Sequence, residues 1–100
     1  MTAQRLIHFK KRIADNLVKE VKVWRLPQPL AGSAHPYKYS LALIAQGRCV
    51  LRYDNEQGKG DHRHAGELEM PLAWRGLDAL LADFDLDIQR WRQTNGNTDD

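Results

Sequence analysis

Residues 37–53 read YKYSLALIAQGRCVLRY, and this stretch decides the fold. Apolar and polar side chains alternate along it, which is typical of a strand with one buried face. The side chains that share the predicted buried face are Tyr37, Tyr39, Leu41 and Leu43. Gln46-Gly47 predicts a tight turn into a second strand, Arg48–Tyr53. The chain is therefore expected to contain an antiparallel hairpin here.

The residues before this hairpin predict another one. Residues 5–13 and 17–26 both alternate apolar and polar side chains, and Asp15-Asn16 between them is a turn signal. A helix over residues 4–18 is the competing interpretation, because Leu6, Phe9, Ile13 and Leu17 also fit a helical spacing. The strand-rich neighbourhood favours the hairpin. Residues 27–36 contain three prolines and a Gly-Ser pair, which predicts a loop.

One long helix is predicted near the C-terminal end of the sequence. Its apolar side chains recur at spacings of three and four, at Leu77, Leu80, Leu81, Phe84, Ile88 and Trp91. Four aspartates fall between them, at Asp78, Asp83, Asp85 and Asp87. Gly76 is the predicted N-cap. Residues 94–100 are polar and are expected to fray.

Between the central hairpin and this helix, residues 54–60 predict a loop. Residues 61–68 predict a further strand, which Glu69-Met70-Pro71 ends. Together the elements predict an α+β fold, an antiparallel sheet of about five strands with one long C-terminal helix packed on one face. We expect a single domain, 1–100, with a folded core over 1–93. A core of this size is thin, so that a partner or a homodimer would add stability.

Charge is unevenly distributed along the chain. The net charge is +2, but residues 1–25 carry seven Lys/Arg against two Asp/Glu, and residues 76–100 carry two against six. The basic N-terminal part predicts contact with phosphates or with an acidic protein surface, and a solvated strand face is the other interpretation.

The composition also bears on location. No apolar run approaches the roughly 20 residues that span a bilayer, and the N-terminus lacks the pattern of a secretory leader. We therefore expect a cytoplasmic protein without membrane contact. The single cysteine, Cys49, excludes an intramolecular disulfide and is predicted to be a small buried apolar side chain.

The chemistry of the chain is concentrated in residues 53–64, which read YDNEQGKGDHRH. On a strand, His62 and His64 project from the same face with their Cα atoms about 7 Å apart, while Asp61 and Arg63 point the other way. Lys59 lies between two glycines, whose backbone can approach a ligand closely.

Three kinds of chemistry fit this segment. The first is phosphodiester cleavage without a metal, in which histidines move protons and a cation stabilises the charge that develops on phosphorus. The second is a metal site with a His-x-His pair and a carboxylate as ligands. The third is non-catalytic, a polar loop with paired charges that binds a partner or only solvates the edge of the sheet.

For the acid–base reaction we predict no cofactor and no metal. His62 and His64 would share the acid and base roles, Lys59 would stabilise the phosphate, and Asp54 or Asp61 would orient a ring. The candidate substrate ligands are Arg52, Arg63, Tyr53 and Lys38. His35 lies in the proline-rich loop and is expected at the surface. Trp24, Trp74 and Trp91 are predicted core or interface side chains, with Trp91 the best candidate for an interface.

The segment Tyr53-Asp54-Asn55-Glu56, followed by Gly58-Lys59-Gly60-Asp61-His62-Arg63-His64, resembles the TumE family of type II toxin–antitoxin proteins. Further matching stretches are Trp24-Arg25-Leu26-Pro27, His35 with Tyr37-Lys38-Tyr39, and Leu80-Leu81-Ala82-Asp83-Phe84. The resemblance covers about residues 5 to 92. Gly76 departs from it, since the family more often has a Ser-like cap there.

The resemblance implies a growth-inhibiting toxin that a helix-turn-helix antitoxin neutralises. Ribonuclease activity on an RNA substrate follows only by analogy with other small toxins. A binding partner of a helix-turn-helix regulator without catalysis, and a metal-dependent hydrolase, are the alternatives.

Overall fold

The computed structural model of the chain describes residues 2–96. A single sheet contains all six strands in chain order, and every neighbouring pair is antiparallel. The strands are β1 (Gln4–Ala14), β2 (Leu17–Arg25), β3 (Tyr37–Ala45), β4 (Arg48–Glu56), β5 (Gly60–Ala65) and β6 (Leu68–Pro71). A helix, α1 (Leu77–Trp91), follows them and continues into a π-helical turn over Arg92–Gly96. The predicted α+β class is confirmed.

The hairpins form where the turn chemistry predicts them. Residues 4–14 are a strand, so the competing helix over residues 4–18 is wrong. Gln46 and Gly47 both have positive φ, 53° and 79°, which is the conformation of a two-residue type I′ turn. The turn between β4 and β5 is shorter than the predicted loop, because β4 continues to Glu56 and β5 begins at Gly60.

The sheet has six strands where about five were expected. Gly66, with φ of +60°, turns the chain directly after β5, and residues 68–71 then pair with β5 as a separate short strand. The sequence predicts one strand across this turn. β6 is four residues long and all of them are exposed, so the alternation of Leu68, Glu69 and Met70 is too short to identify a separate strand.

The core lies between one face of the sheet and α1, and we call this side of the sheet the helix face. Its buried side chains are Leu17, Val21, Val23, Tyr39, Leu41, Leu43, Leu51 and Tyr53, and α1 contributes Leu80, Phe84 and Ile88. Phe84 is fully buried and packs edge-on against Tyr53, with 5.0 Å between ring centroids. The predicted burial of Tyr39, Leu41 and Leu43 is confirmed. The opposite side of the sheet, which no described element covers, is called the open face.

Two single-residue predictions are wrong. Cys49 is exposed rather than buried, because it lies next to the β3–β4 turn, where the register shifts. His35 is buried rather than at the surface, since its loop folds against the sheet and Trp74 covers its ring.

Helix α1 begins and ends as predicted. Gly76 is the N-cap without a side-chain hydrogen bond, and Arg90 lies in the last turn. Residues 94–96 form part of the helical turn rather than a frayed end, and residues 97–100 of the predicted frayed segment lie outside the described residues. No described helix has the length and apolar character needed to cross a membrane.

Candidate functional site

The two predicted catalytic histidines lie on the open face of β5. In the register of β4 with β5, Asp54 is opposite His62 and Arg52 is opposite His64. Neighbouring residues in such pairs project from the same side of the sheet. The sheet therefore brings Arg52, Asp54, His62 and His64 together on one exposed surface.

His64 has a carboxylate beside its ring. Its Nε2 lies 3.3 Å from Oδ1 of Asp54, and Oδ2 of the same carboxylate lies 3.3 Å from Nε of Arg52. Oδ1 of Asp54 is buried and has no well-aligned hydrogen bond among the described residues. The His64 ring is the nearest group that could supply a proton to it.

His62 is held in a defined tautomer by its own strand. Its Nδ1 lies 3.1 Å from the carbonyl oxygen of Gly60. A carbonyl only accepts, so Nδ1 is the donor and Nε2 of the neutral ring carries no proton. Nε2 lies 3.8 Å from Oε2 of Glu69 on β6. A neutral His62 can therefore accept a proton on Nε2.

Glu69 is a neighbour of the site that sequence analysis missed, because β6 was not recognised as a strand. Its Oε2 lies 3.4 Å from Nζ of Lys59, which is also 3.6 Å from Oε1 of Glu56. Glu69 raises the pKa of the Lys59 ammonium, and Lys59 lowers the pKa of the Glu69 carboxyl. Lys59 is consequently a permanent cation at the exposed end of the hairpin.

Tyr53 and Arg63, two predicted substrate ligands, lie on the helix face and bind α1 instead. Arg63 forms two hydrogen bonds to Asp87, from Nε to Oδ2 at 2.6 Å and from Nη2 to Oδ1 at 2.9 Å, and the Tyr53 hydroxyl donates to Oδ2 at 2.7 Å. Burial and the bond to Asp87 raise the pKa of Tyr53. Their role in substrate binding stays a prediction, and their position gives them a structural role.

Asp61 orients a histidine, but that histidine is His35 and not His62 or His64. His35 Nε2 lies 2.9 Å from Oδ1 of Asp61, to which the Tyr39 hydroxyl donates at 2.6 Å. The His35 ring stacks on Trp74 with 3.6 Å between centroids. This cluster is on the helix face, so Asp61 does not meet the rings of His62 and His64 on the open face.

The glycines around Lys59 approach the chain's own loop rather than a ligand. A Cβ on Gly60 would lie 3.0 Å from the carbonyl oxygen of Gly32, and the Gly58 N–H donates to Ala31 at 2.6 Å. The buried side chain of Asn55 ties β3 to β4 through the backbone carbonyl of Tyr37, at 2.7 Å. Much of the segment 53–64 is thus structural. Its two histidines are half-buried on the open face, and Lys59 is exposed at the end of the hairpin.

Lys38 lies on the open face opposite Trp24, as its strand position predicts. Its ammonium donates to the backbone carbonyl of Asn55, so it borders the β4–β5 hairpin. Within residues 2–96, no three His, Cys, Asp or Glu side chains are placed to hold a metal ion together.

The site lies inside a match to a known family. A family model described as Toxin TumE matches residues 2–92. The chain belongs to the TumE toxin family. All six strands and the whole of α1 fall in the matched TumE region, and a toxin of this family implies an antitoxin partner. No match was found among curated proteins or solved structures.

Proposed function

We propose that this TumE protein is the toxin of a type II pair and inhibits growth by cleaving RNA without a metal ion. One observation carries the proposal. His62 and His64 share an exposed face, each beside a carboxylate, with Lys59 and Arg52 as neighbouring cations. Two imidazoles at a spacing of about 7 Å can act on the attacking and leaving oxygens of one phosphodiester.

The contact of His62 Nδ1 with the Gly60 carbonyl leaves Nε2 free to accept a proton, and we give His62 the role of base and His64 the role of acid. Nε2 of neutral His62 takes the proton from a ribose 2′-hydroxyl, whose oxygen attacks phosphorus. His64 in its protonated form, with Asp54 beside its ring, gives its proton to the leaving 5′-oxygen. The P–O5′ bond breaks, which yields a 2′,3′-cyclic phosphate and a 5′-hydroxyl. Lys59 or Arg52 stabilises the negative charge in the transition state.

The open face supports an RNA path toward this pair. One row of register partners crosses four adjacent strands, from Lys22 on β2 through Ser40 and Asp54 to His62 on β5. In the neighbouring row, Trp24 is the partner of Lys38. Cations bind phosphates without reading sequence, and an aromatic ring on a sheet can stack on an unpaired base. These side chains fit a single-stranded substrate better than a duplex.

Cleavage of a synthetic single-stranded RNA in the presence of EDTA tests the proposal. His62→Gln and His64→Gln are each expected to lower the cleavage rate by about 100-fold or more. Arg90→Gln is the control, because Arg90 is exposed on α1, on the other side of the sheet from the open face. An RNA with 2′-O-methyl groups should remain intact.

The same assay separates the alternatives. Cleavage that requires added Mg²⁺ or Mn²⁺ would favour a metal-dependent hydrolase. Growth inhibition that persists in the His62→Gln and His64→Gln variants, with intact RNA, would favour a toxin that acts by binding. Wild-type protein that leaves RNA intact under all these conditions contradicts the ribonuclease proposal.

The antitoxin is proposed to be a helix-turn-helix protein encoded beside the toxin, as the family resemblance implies. Co-expression of that neighbouring gene should restore growth. Whether the toxin itself forms a homodimer is measured by sedimentation of the purified chain. A neighbouring gene without a helix-turn-helix product would contradict this part of the proposal.

A further inference from the structure

The sheet has two edges of very different character. β6 is four residues long and ends at Pro71, which has no N–H to offer another strand. β1 is eleven residues long, and its outer side pairs with no other strand among residues 2–96. A long unpaired edge presents a row of free backbone donors and acceptors, and another chain can extend the sheet there.

The central part of β1 is regular. Its register shifts are confined to the two ends, between Arg5 and Ile7 and between Arg12 and Ala14. From Ile7 to Arg12 every residue has a register partner on β2. Bulges are one means by which proteins protect an exposed edge, and this central part has none.

The side chains of this part differ between the two faces. His8, Lys10 and Arg12 project to the open face, and neither Lys10 nor Arg12 takes part in an ion pair with another described residue. Ile7 and Phe9 project to the helix face, where Phe9 is 41% exposed. Lys11 also projects to the helix face. An added strand would therefore meet Lys10 and Arg12 on one face, and Ile7, Phe9 and Lys11 on the other.

We propose that β1 is the docking edge for the antitoxin, which adds an extended acidic segment as a seventh strand. The chemistry of β1 specifies this segment. Its carboxylates lie beside His8, Lys10 and Arg12, and its apolar side chains alternate with them and cover Phe9. Opposite charges in directly opposed positions stabilise a strand pair. The site is separate from the proposed RNA-cleaving pair, since β1 and β5 are separated by three strands.

A second copy of the chain fits this edge poorly. Two β1 strands related by a two-fold axis at Lys10 would place Lys10 opposite its own copy and His8 opposite Arg12. With the axis at Phe9, Lys10 would lie opposite His8, which offers it no carboxylate. The axis at Lys10 brings two ammonium groups together, and directly opposed like charges destabilise a strand pair. The charge of β1 thus selects an acidic partner over self-association.

Two synthetic peptides of alternating sequence test the proposal, one with Val and Glu and one with Val and Lys. Titrated into the purified chain, the Glu peptide is expected to bind at least tenfold more tightly and to slow hydrogen exchange of β1 amides. Lys10→Glu combined with Arg12→Glu should reverse this preference. Arg48→Glu with Arg90→Glu makes the same change in net charge at exposed positions outside β1 and should preserve it.

Other outcomes overturn the proposal. These are equal binding of both peptides, protection confined to elements other than β1, or an unchanged preference in the charge-reversed variant. Concentration-dependent protection of β1 without peptide, with a dimeric mass, would assign the edge to a second copy. If the variant with Lys10→Glu and Arg12→Glu fails to fold, the variant with Lys10→Gln and Arg12→Gln replaces it. This neutral variant should bind the Glu peptide and the Lys peptide equally. No RNA is present, so the result is independent of ribonuclease activity.

Discussion

At Asp87 a single carboxylate joins α1 to β4 and β5. It is 8% exposed and accepts hydrogen bonds from Arg63 and Tyr53. Asp87→Asn should lower the free energy of unfolding by about 2–4 kcal/mol, because it leaves the Arg63 guanidinium partly buried without its anion. Urea denaturation at pH 7 measures this. Asp78→Asn, at an exposed position in the first turn of α1, is the control and should cost much less.

The same carboxylate makes stability depend on pH. Burial raises the pKa of Asp87, but the hydrogen bonds from Arg63 and Tyr53 outweigh burial, so that the folded pKa lies below its ordinary value. A lowered folded pKa stabilises the protein above the unfolded pKa of about 4, and this contribution is lost as pH falls through the folded pKa.

Urea midpoints measured between pH 6 and pH 2 test this dependence. The wild type should lose more stability across the range than Asp87→Asn, whose side chain does not titrate. Parallel curves for the two proteins would show that another acidic group is responsible.

Single residues also show what a sequence can and cannot predict about the site. The shared face of His62 and His64 follows from strand geometry alone and is confirmed. The burial of His35 and Asp87 does not follow from local pattern, because each is buried only when distant residues, Trp74 and Arg63, supply a stacking or charged partner. Polar residues are buried by their tertiary partners, which no spacing rule identifies.

At the scale of elements, the turn between β4 and β5 depends on close packing against residues 31–32. Gly60 has φ of +80° and a Cβ there would lie 3.0 Å from the carbonyl of Gly32, whereas Gly58 has φ of +86° and open space. Gly58→Ala should cost about 1 kcal/mol from backbone strain alone, and Gly60→Ala about 2–3 kcal/mol, because it adds a steric clash. Thermal unfolding of both variants measures the difference. Equal losses would show that the loop moves away without cost.

Strands and helices differ in how well the sequence predicts them. β2, β3 and α1 each bury one face, so their apolar side chains repeat with the period of the element. β6 buries nothing and its alternation covers only Leu68 to Met70, so a strand was missed and with it Glu69. The turn at Gly66 and the pairing with β5 define this strand, and a pattern of apolar side chains does not identify either.

For the whole molecule, the charge of the open face governs binding to RNA if the proposed path is correct. Lys22→Ala should weaken binding and reduce the slope of log affinity against log salt by about 0.7, the value for one phosphate contact to a single strand. Fluorescence anisotropy with a 2′-O-methyl RNA measures this without cleavage. Arg90→Ala, at an exposed position of α1, should leave the slope unchanged. Equal slopes for Lys22→Ala and the wild type would place the RNA elsewhere.

The order of the strands also matters while the protein is being made. Each strand pairs with the one that precedes it, so the sheet can assemble hairpin by hairpin as the chain leaves the ribosome. α1, with Asp87, follows all six strands. If β1 is the docking edge, that edge is complete while α1 is still in the exit tunnel. An antitoxin that binds β1 can therefore bind the nascent toxin before translation finishes. Toxin made in its presence is then released as a complex and not as a free protein.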